Sequence, residues 1–105
     1  MKMIRTIIRP EKEQAVTEKL EAAGIPGLTK VDVLGRGKQK GIQVGATVYD
    51  ELAKSMIMVV VQDNLLEAAI NAIQEGAHTG NFGDGKIFVT PVEQAYTIRT
   101  GKSEI

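Results

Sequence analysis

The chain has 105 residues, 43% of them apolar and 25% charged, which suits one compact globular domain with one core. Its 13 lysines and arginines balance 13 aspartates and glutamates, so no bulk charge draws nucleic acid or a membrane surface and any anion site must be local. The lack of cysteine excludes disulfides and thiolate metal sites and suits the cytosol, and 4% aromatic content argues against a stacking platform for single-stranded nucleic acid.

In chain order, MKMIRTIIRPEKE begins with a short apolar run followed at once by charge, too short for a signal peptide. No stretch approaches the roughly 20 apolar residues of a membrane span, so no membrane insertion is expected. Residues 1–9 read as a strand carrying Ile4, Ile7 and Ile8, and Pro10 suits the first turn of a helix. Val16, Leu20 and Ala23 then share one helical face, and Gly24 is a fitting stop. Residues 28–34 alternate, with Thr29, Val31 and Val33 on one side, as a strand does. Residues 41–53 show no clear period. SMIMVVVQ, residues 55–62, reads as a central strand apolar on both faces. Asn64 and Glu67 make a capping-box pattern before a stripe of Leu66, Ala69, Ile70 and Ile73, a helix expected to end near Gly76. A glycine-rich loop, HTGNFGDG, leads to a strand over 86–90, and a final strand is expected over 96–100.

The order β-α-β-loop-β-α-β predicts an α+β, ferredoxin-like βαββαβ sandwich: a four-stranded antiparallel sheet with both helices on one face. The two helices leave the other face of SMIMVVVQ bare, which predicts packing on another subunit. A domain this small also buries a modest share of its surface.

Two loops carry the candidate chemistry. GRGKQKG, residues 35–41, combines three glycines with Arg36, Lys38, Gln39 and Lys40. Its backbone N–H groups can approach an anion closely, its lysines add charge, and the Gln39 carbonyl suits a hard cation such as Mg²⁺. GNFGDGK, residues 80–86, has the spacing of a P-loop, but Ile87 replaces the metal-binding Ser/Thr and IFVT is a strand where a P-loop opens a helix. Each loop alone is equally a glycine turn or a solvated basic loop. Two in one small domain favour a nucleotide site.

MKMIRTIIRP, GLTKVDVLGRGKQKG, TGNFGDGKIFV and IRTG together make the chain resemble the PII signal-transduction proteins, trimeric sensors of nitrogen status. GIQVGATVYDELAK further resembles the archaeal-type, nitrogenase-associated branch. The resemblance covers nearly the whole chain and implies a single PII-like domain over 1–105 with a long T-loop over about 36–54. It implies ATP or ADP held between subunits of a homotrimer by Gly35, Gly37, Lys38, Gln39, Thr79, Gly83, Asp84, Gly85 and Lys86, with Arg99 from the neighbouring subunit. Gln39 would coordinate Mg²⁺, and 2-oxoglutarate would chelate that metal while meeting Gln39, Lys40, Gly41 and Lys54. Ile42, Val44, Val48 and Tyr49 would form the partner-binding part of the T-loop. The implied partners are a second PII-like subunit type and a nitrogenase component, with an ammonium channel or a nitrogen-assimilation enzyme as the alternative target. The implied location is the cytoplasm.

Three features depart from the family pattern. Lys38 stands where an arginine is usual, a point charge in place of a fork of donors. Thr97 replaces the first of two C-terminal arginines. The T-loop is shorter and lacks the tyrosine that is uridylylated in enterobacterial relatives, Tyr49 lying elsewhere. No nucleophile–base pair and no acid/base carboxylate pair is evident, so the chain is expected to be no enzyme. His78, the single histidine, reads as a structural or rim residue. Met56 and Met58 read as packing residues. A trimeric module that binds no nucleotide is the rival reading. The lack of acid and histidine clusters counts against its metal-handling form. RNA binding through the sheet would need aromatics that the central strands lack.

Overall fold

The computed structural model describes residues 1–36, 42–44, 47–49 and 51–105, with residues 42–44 and 47–49 described as backbone alone. The elements are β1 (Lys2–Ile8), α1 (Glu13–Ala22), β2 (Thr29–Gly35), β3 (Ile42–Val44), β4 (Thr47–Tyr49), β5 (Leu52–Val61), α2 (Leu66–Ala77) and β6 (Gly85–Pro91). Strands β2-β5-β1-β6 form one sheet with every neighbouring pair antiparallel. β3 and β4 pair with each other in a separate hairpin inserted between β2 and β5. With that hairpin set aside, the order is βαββαβ and the fold is the expected ferredoxin-like α+β sandwich. The unpatterned stretch over 41–53 thus contains the hairpin and the first residues of β5.

Pro10 sets the start of the first helical segment. Arg9 before it is extended, as a residue preceding proline prefers, and a 3₁₀ turn over Pro10–Lys12 feeds α1. The exit is a Schellman motif at Gly24, whose φ of 85° suits glycine. The Ile25 N–H donates to the Leu20 carbonyl at 2.9 Å and the Gly24 N–H to that of Glu21 at 3.0 Å. Ile25 is itself buried in the core.

The core lies between the sheet and the helices. Ile4 and Ile8 of β1, Ile57, Val59 and Val61 of β5, Val16 and Leu20 of α1, and Ala69 and Ile73 of α2 are buried together. β5 alternates strictly: Ser55, Ile57, Val59 and Val61 are buried, whereas Lys54, Met56, Met58 and Val60 are half-buried. The continuous apolar run is therefore covered on one face only within the single chain. The uncovered face continues through register partners of β5: Val31 opposite Met56 on β2, and Ile7 opposite Met56 on β1. Val31 and Phe88 are 41% and 50% exposed there.

Two expectations are corrected. The 3₁₀ turn Asp63–Leu65 precedes α2, and no side chain caps the helix, so Asn64 and Glu67 form no capping box. Tyr96–Thr100 is no sheet strand: Tyr96 bridges only to Ser103, around a turn closed by the Gly101 N–H on the Thr97 carbonyl. α2 ends at Ala77, next to Gly76 as expected. Gly76 is also the crossing point of the two helices. A Cβ there would lie 2.9 Å from the Val16 Cα and backbone N. This close approach rotates the buried face of α2 towards Ala69, Ala72, Ile73 and Gly76, leaving Leu66 and Ile70 half-buried.

Gly76→Ala should accordingly destabilise the domain. Overpacking costs about 1–3 kcal/mol and outweighs a gain in helix propensity of up to about 1 kcal/mol. The expected net loss of about 1 kcal/mol lowers the melting temperature by several degrees. A thermal melt showing an unchanged or raised midpoint would mean that the helices part freely at this crossing.

Candidate functional site

The loop between α2 and β6 is organised by one carboxylate. Asp84 Oδ2 accepts the backbone N–H of Thr79 at 2.7 Å and of Gly80 at 2.9 Å. Oδ1 accepts the Thr79 hydroxyl and, at 3.3 Å, Arg9 Nε. The Thr79 hydroxyl in turn accepts the Asn81 N–H at 3.2 Å. The Thr79 hydroxyl, followed by the Thr79 N–H, holds the Asp84 carboxyl well below the usual carboxylate range, and the Gly80 N–H and Arg9 act the same way against desolvation. Asp84 therefore stays ionised at all physiological pH. A depressed folded pKa means its contribution is present above the ordinary carboxylate value and is lost only as strong acid protonates the native carboxyl.

Glycines make this tight course possible. Gly80, Gly83 and Gly85 have φ of 89°, 97° and 111°. Gly85 has no room for a side chain, since a Cβ would fall 1.7 Å from the Ile7 carbonyl oxygen. Gly85 and Ile8 are register partners, so the loop enters β6 directly against the end of β1.

Two cations from distant elements hold consecutive carbonyls of the loop. Arg9 Nη2 donates to the Phe82 carbonyl at 2.6 Å. Lys54 Nζ donates to the Gly83 carbonyl at 2.8 Å. Burial first, and then the charge of Arg9, pushes the Lys54 ammonium down from its ordinary value. Lys54 also lies against the end of β2, where a Cβ on Gly35 would be 3.2 Å from its Cγ. Lys54 thus passes beside Gly35, the first residue of GRGKQKG, and reaches Gly83, so the end of β2 and the second glycine loop lie at one corner of the sheet.

A cleft of about 460 Å³ lies beside this corner, with Ile8 and Ile73 in its floor and His78, Asn81, Asp84 and Lys86 at its rim. His78 Nδ1 is 3.8 Å from Asp84 Oδ2, a rim position that matches the structural expectation for this residue. Among the described residues, Lys86 has no ion-pair partner and no cluster of three or more His, Cys, Asp and Glu could hold a metal.

Of the expected site residues, Gly35, Lys54, Thr79, Gly83, Asp84, Gly85 and Lys86 come together here. Gly37, Lys38, Gln39, Lys40 and Gly41 lie outside the described residues, as do the side chains of Ile42, Val44, Val48 and Tyr49. Arg99 sits in the C-terminal turn, and among the described residues no hydrogen bond or ion pair joins it to the loop. Sequence reasoning missed Arg9. Its only signal was a charge directly after an apolar strand and before a proline.

Comparison with known proteins agrees with the geometry. The family model "Nitrogen regulatory protein P-II" matches residues 1–102. The chain is 59% identical over 102 residues to "Nitrogen fixation nifHD1 region GlnB-like protein 1" of Methanosarcina barkeri, covering 97% of both chains. It is 56% identical over 100 residues to "Nitrogen fixation nifHD region GlnB-like protein 1" of Methanothermobacter marburgensis, covering 95% of both. To "Nitrogen regulatory protein P-II" of Azospirillum brasilense it is 52% identical over 106 residues, covering 97% of this chain and 95% of that one. With near-complete coverage on both sides and a site built from the quoted motifs, the chain belongs to the nitrogen regulatory protein P-II family.

Proposed function

We propose that this chain senses ATP or ADP together with 2-oxoglutarate, and regulates nitrogen fixation by reversible docking of its T-loop on a nitrogenase component. The observation that carries the reading is the Lys54 bridge. Its ammonium binds the Gly83 carbonyl while its stem passes close beside Gly35, at the base of the inserted segment. A ligand that competes for Lys54 acts on both at once.

The residues present fit a polyphosphate. Arg9, Lys54 and Lys86 place positive charge around a glycine backbone that an anion can approach closely. Gly35, Gly37, Lys38, Thr79, Gly83, Gly85 and Lys86 would hold the phosphates, with Asp84 acting through the loop it braces and Arg99 reaching over from a neighbouring copy. Gln39 would hold Mg²⁺. The effector would meet Gln39, Lys40, Gly41 and Lys54, its carboxylate taking the place of the Gly83 carbonyl on Lys54. The uncovered apolar face carrying Ile7, Val31, Met56, Met58 and Phe88 supports assembly as a homotrimer. The names of the archaeal relatives support nitrogen fixation as the regulated process, and the reading includes a second PII-like subunit type in the complex. In this reading ATP with abundant 2-oxoglutarate releases the target, and ADP or scarce 2-oxoglutarate permits docking. The effector biases the loop only through its different affinity for the two states.

Isothermal titration tests the sensing. 2-Oxoglutarate should release heat only when MgATP is present, and no binding under that condition would overturn the proposal. ATP at about 100 times its Kd should add about 2.7 kcal/mol to stability and raise the melting temperature. An unmoved midpoint at millimolar ATP would favour the nucleotide-free module.

Lys54→Met removes one charged hydrogen bond to the effector, worth about 1.5–3 kcal/mol. The 2-oxoglutarate affinity should fall by at least about tenfold, with a much smaller change in binding of ATP alone. Equal losses for both ligands would deny Lys54 an effector role. Capture from nitrogen-fixing cells checks the target: a nitrogenase component should be retained with ADP and released by MgATP plus 2-oxoglutarate. Retention of an ammonium channel or an assimilation enzyme in its place would redirect the proposal.

A further inference from the structure

We propose that Arg9 is the positioning residue of the phosphate-side loop, holding residues 79–85 in ligand-ready form before any ligand arrives. The proposal deepens the nucleotide reading above and adds a residue from outside both glycine motifs. Arg9 is separated from the loop by more than seventy positions, yet its planar head makes two contacts that fix different parts of it. Nε meets the Asp84 carboxylate at 3.3 Å, and Nη2 meets the Phe82 carbonyl at 2.6 Å.

The two contacts constrain different things. The first sets Asp84, which in turn fixes the N–H groups of Thr79 and Gly80. The second fixes the Phe82 carbonyl, and so the plane of the peptide that carries the Gly83 N–H. Gly83 completes the fit, because a Cβ there would sit 3.1 Å from Arg9 Nη2 at a φ of 97°. Its glycine serves the turn and the approach of the guanidinium together.

Pro10 fixes the direction from which Arg9 comes. It locks its own φ and keeps Arg9 extended, with φ −63° and ψ 137°, at the end of β1. The strand and the proline thus anchor the backbone from which the guanidinium reaches the loop. A loop already ordered spends less binding energy on ordering when the nucleotide enters. Both members of the Arg9–Asp84 pair are partly exposed, at 26% and 22%, so the pair adds little to global stability. Its effect belongs in the loop and in ligand affinity.

The test compares the full-length chain with Arg9→Gln and Arg9→Lys. In unliganded protein, Arg9→Gln should speed amide exchange of Thr79 and Gly80 by about tenfold or more while core amides keep their protection. It should also weaken ATP binding by about tenfold, with a nearly unchanged melting temperature. Arg9→Lys keeps the charge and loses the fork, so it should recover less than half of either effect.

Wild-type exchange in Arg9→Gln overturns the proposal. So does faster exchange with undiminished ATP affinity, a fall in melting temperature alone, or full rescue by lysine. Should the wild-type chain bind no ATP, the nucleotide reading falls by itself, and the exchange comparison still decides whether Arg9 positions the loop.

Discussion

The corner of this molecule depends on the donors gathered around one partly exposed carboxylate. Asp84 gathers two backbone N–H groups, a hydroxyl and a guanidinium, and these four donors come from the end of α2 and the end of β1. Without a negative charge at that point, a loop with positive-φ glycines at 80, 83 and 85 would have no internal reason to settle on one path. With it, the loop carries its own template. The donors also explain why the carboxyl is so acidic, and why the brace holds throughout the range in which a cell operates.

Placing that loop is the task of the fold. β1 is a central strand flanked by β5 and β6, so its C-terminal end lies beside both the start of β5 and the start of β6. Arg9 leaves that end, Lys54 stands near the start of β5, and Gly85 opens β6. The antiparallel ladder therefore delivers a cation, a second cation and a glycine loop to the same corner. The inserted β3–β4 hairpin departs from β2 and returns to β5 at that corner as well. The insertion is thus rooted where Arg9, Lys54 and the glycine loop converge, the layout on which the proposed coupling of a ligand to loop shape rests.

Much of this was legible in the sequence, and the failures have physical causes. The apolar periods of Val16/Leu20 and of SMIMVVVQ located the core, because burial leaves a pattern along the chain. GNFGDGK stood out because several glycines beside one lysine exceed what a turn needs, and it does form a tight loop with three positive-φ glycines; GRGKQKG beyond Arg36 lies outside the described residues. Gly76 marked the end of α2, but its second role at the helix crossing was illegible, since only the three-dimensional neighbour Val16 shows it. The capping pattern at Asn64 and Glu67 lost to a 3₁₀ turn that starts the helical segment earlier, at Asp63. Arg9 was illegible because its partners lie across the whole chain, and nothing local marks an arginine as the holder of a distant carbonyl.

The contacts of Lys54 separate a switch from a simple cradle. A cradle holds its cations ready and empty. Here the ammonium is already committed to the Gly83 carbonyl, in a setting where burial and the nearby guanidinium disfavour its charge. The ammonium keeps two further N–H donors, so an anion there can share Lys54 with the Gly83 carbonyl or compete with it for the charge. In the proposed reading that competition loosens one contact of the loop that Asp84 and Arg9 brace, and a ligand that favours one of the two arrangements shifts their populations.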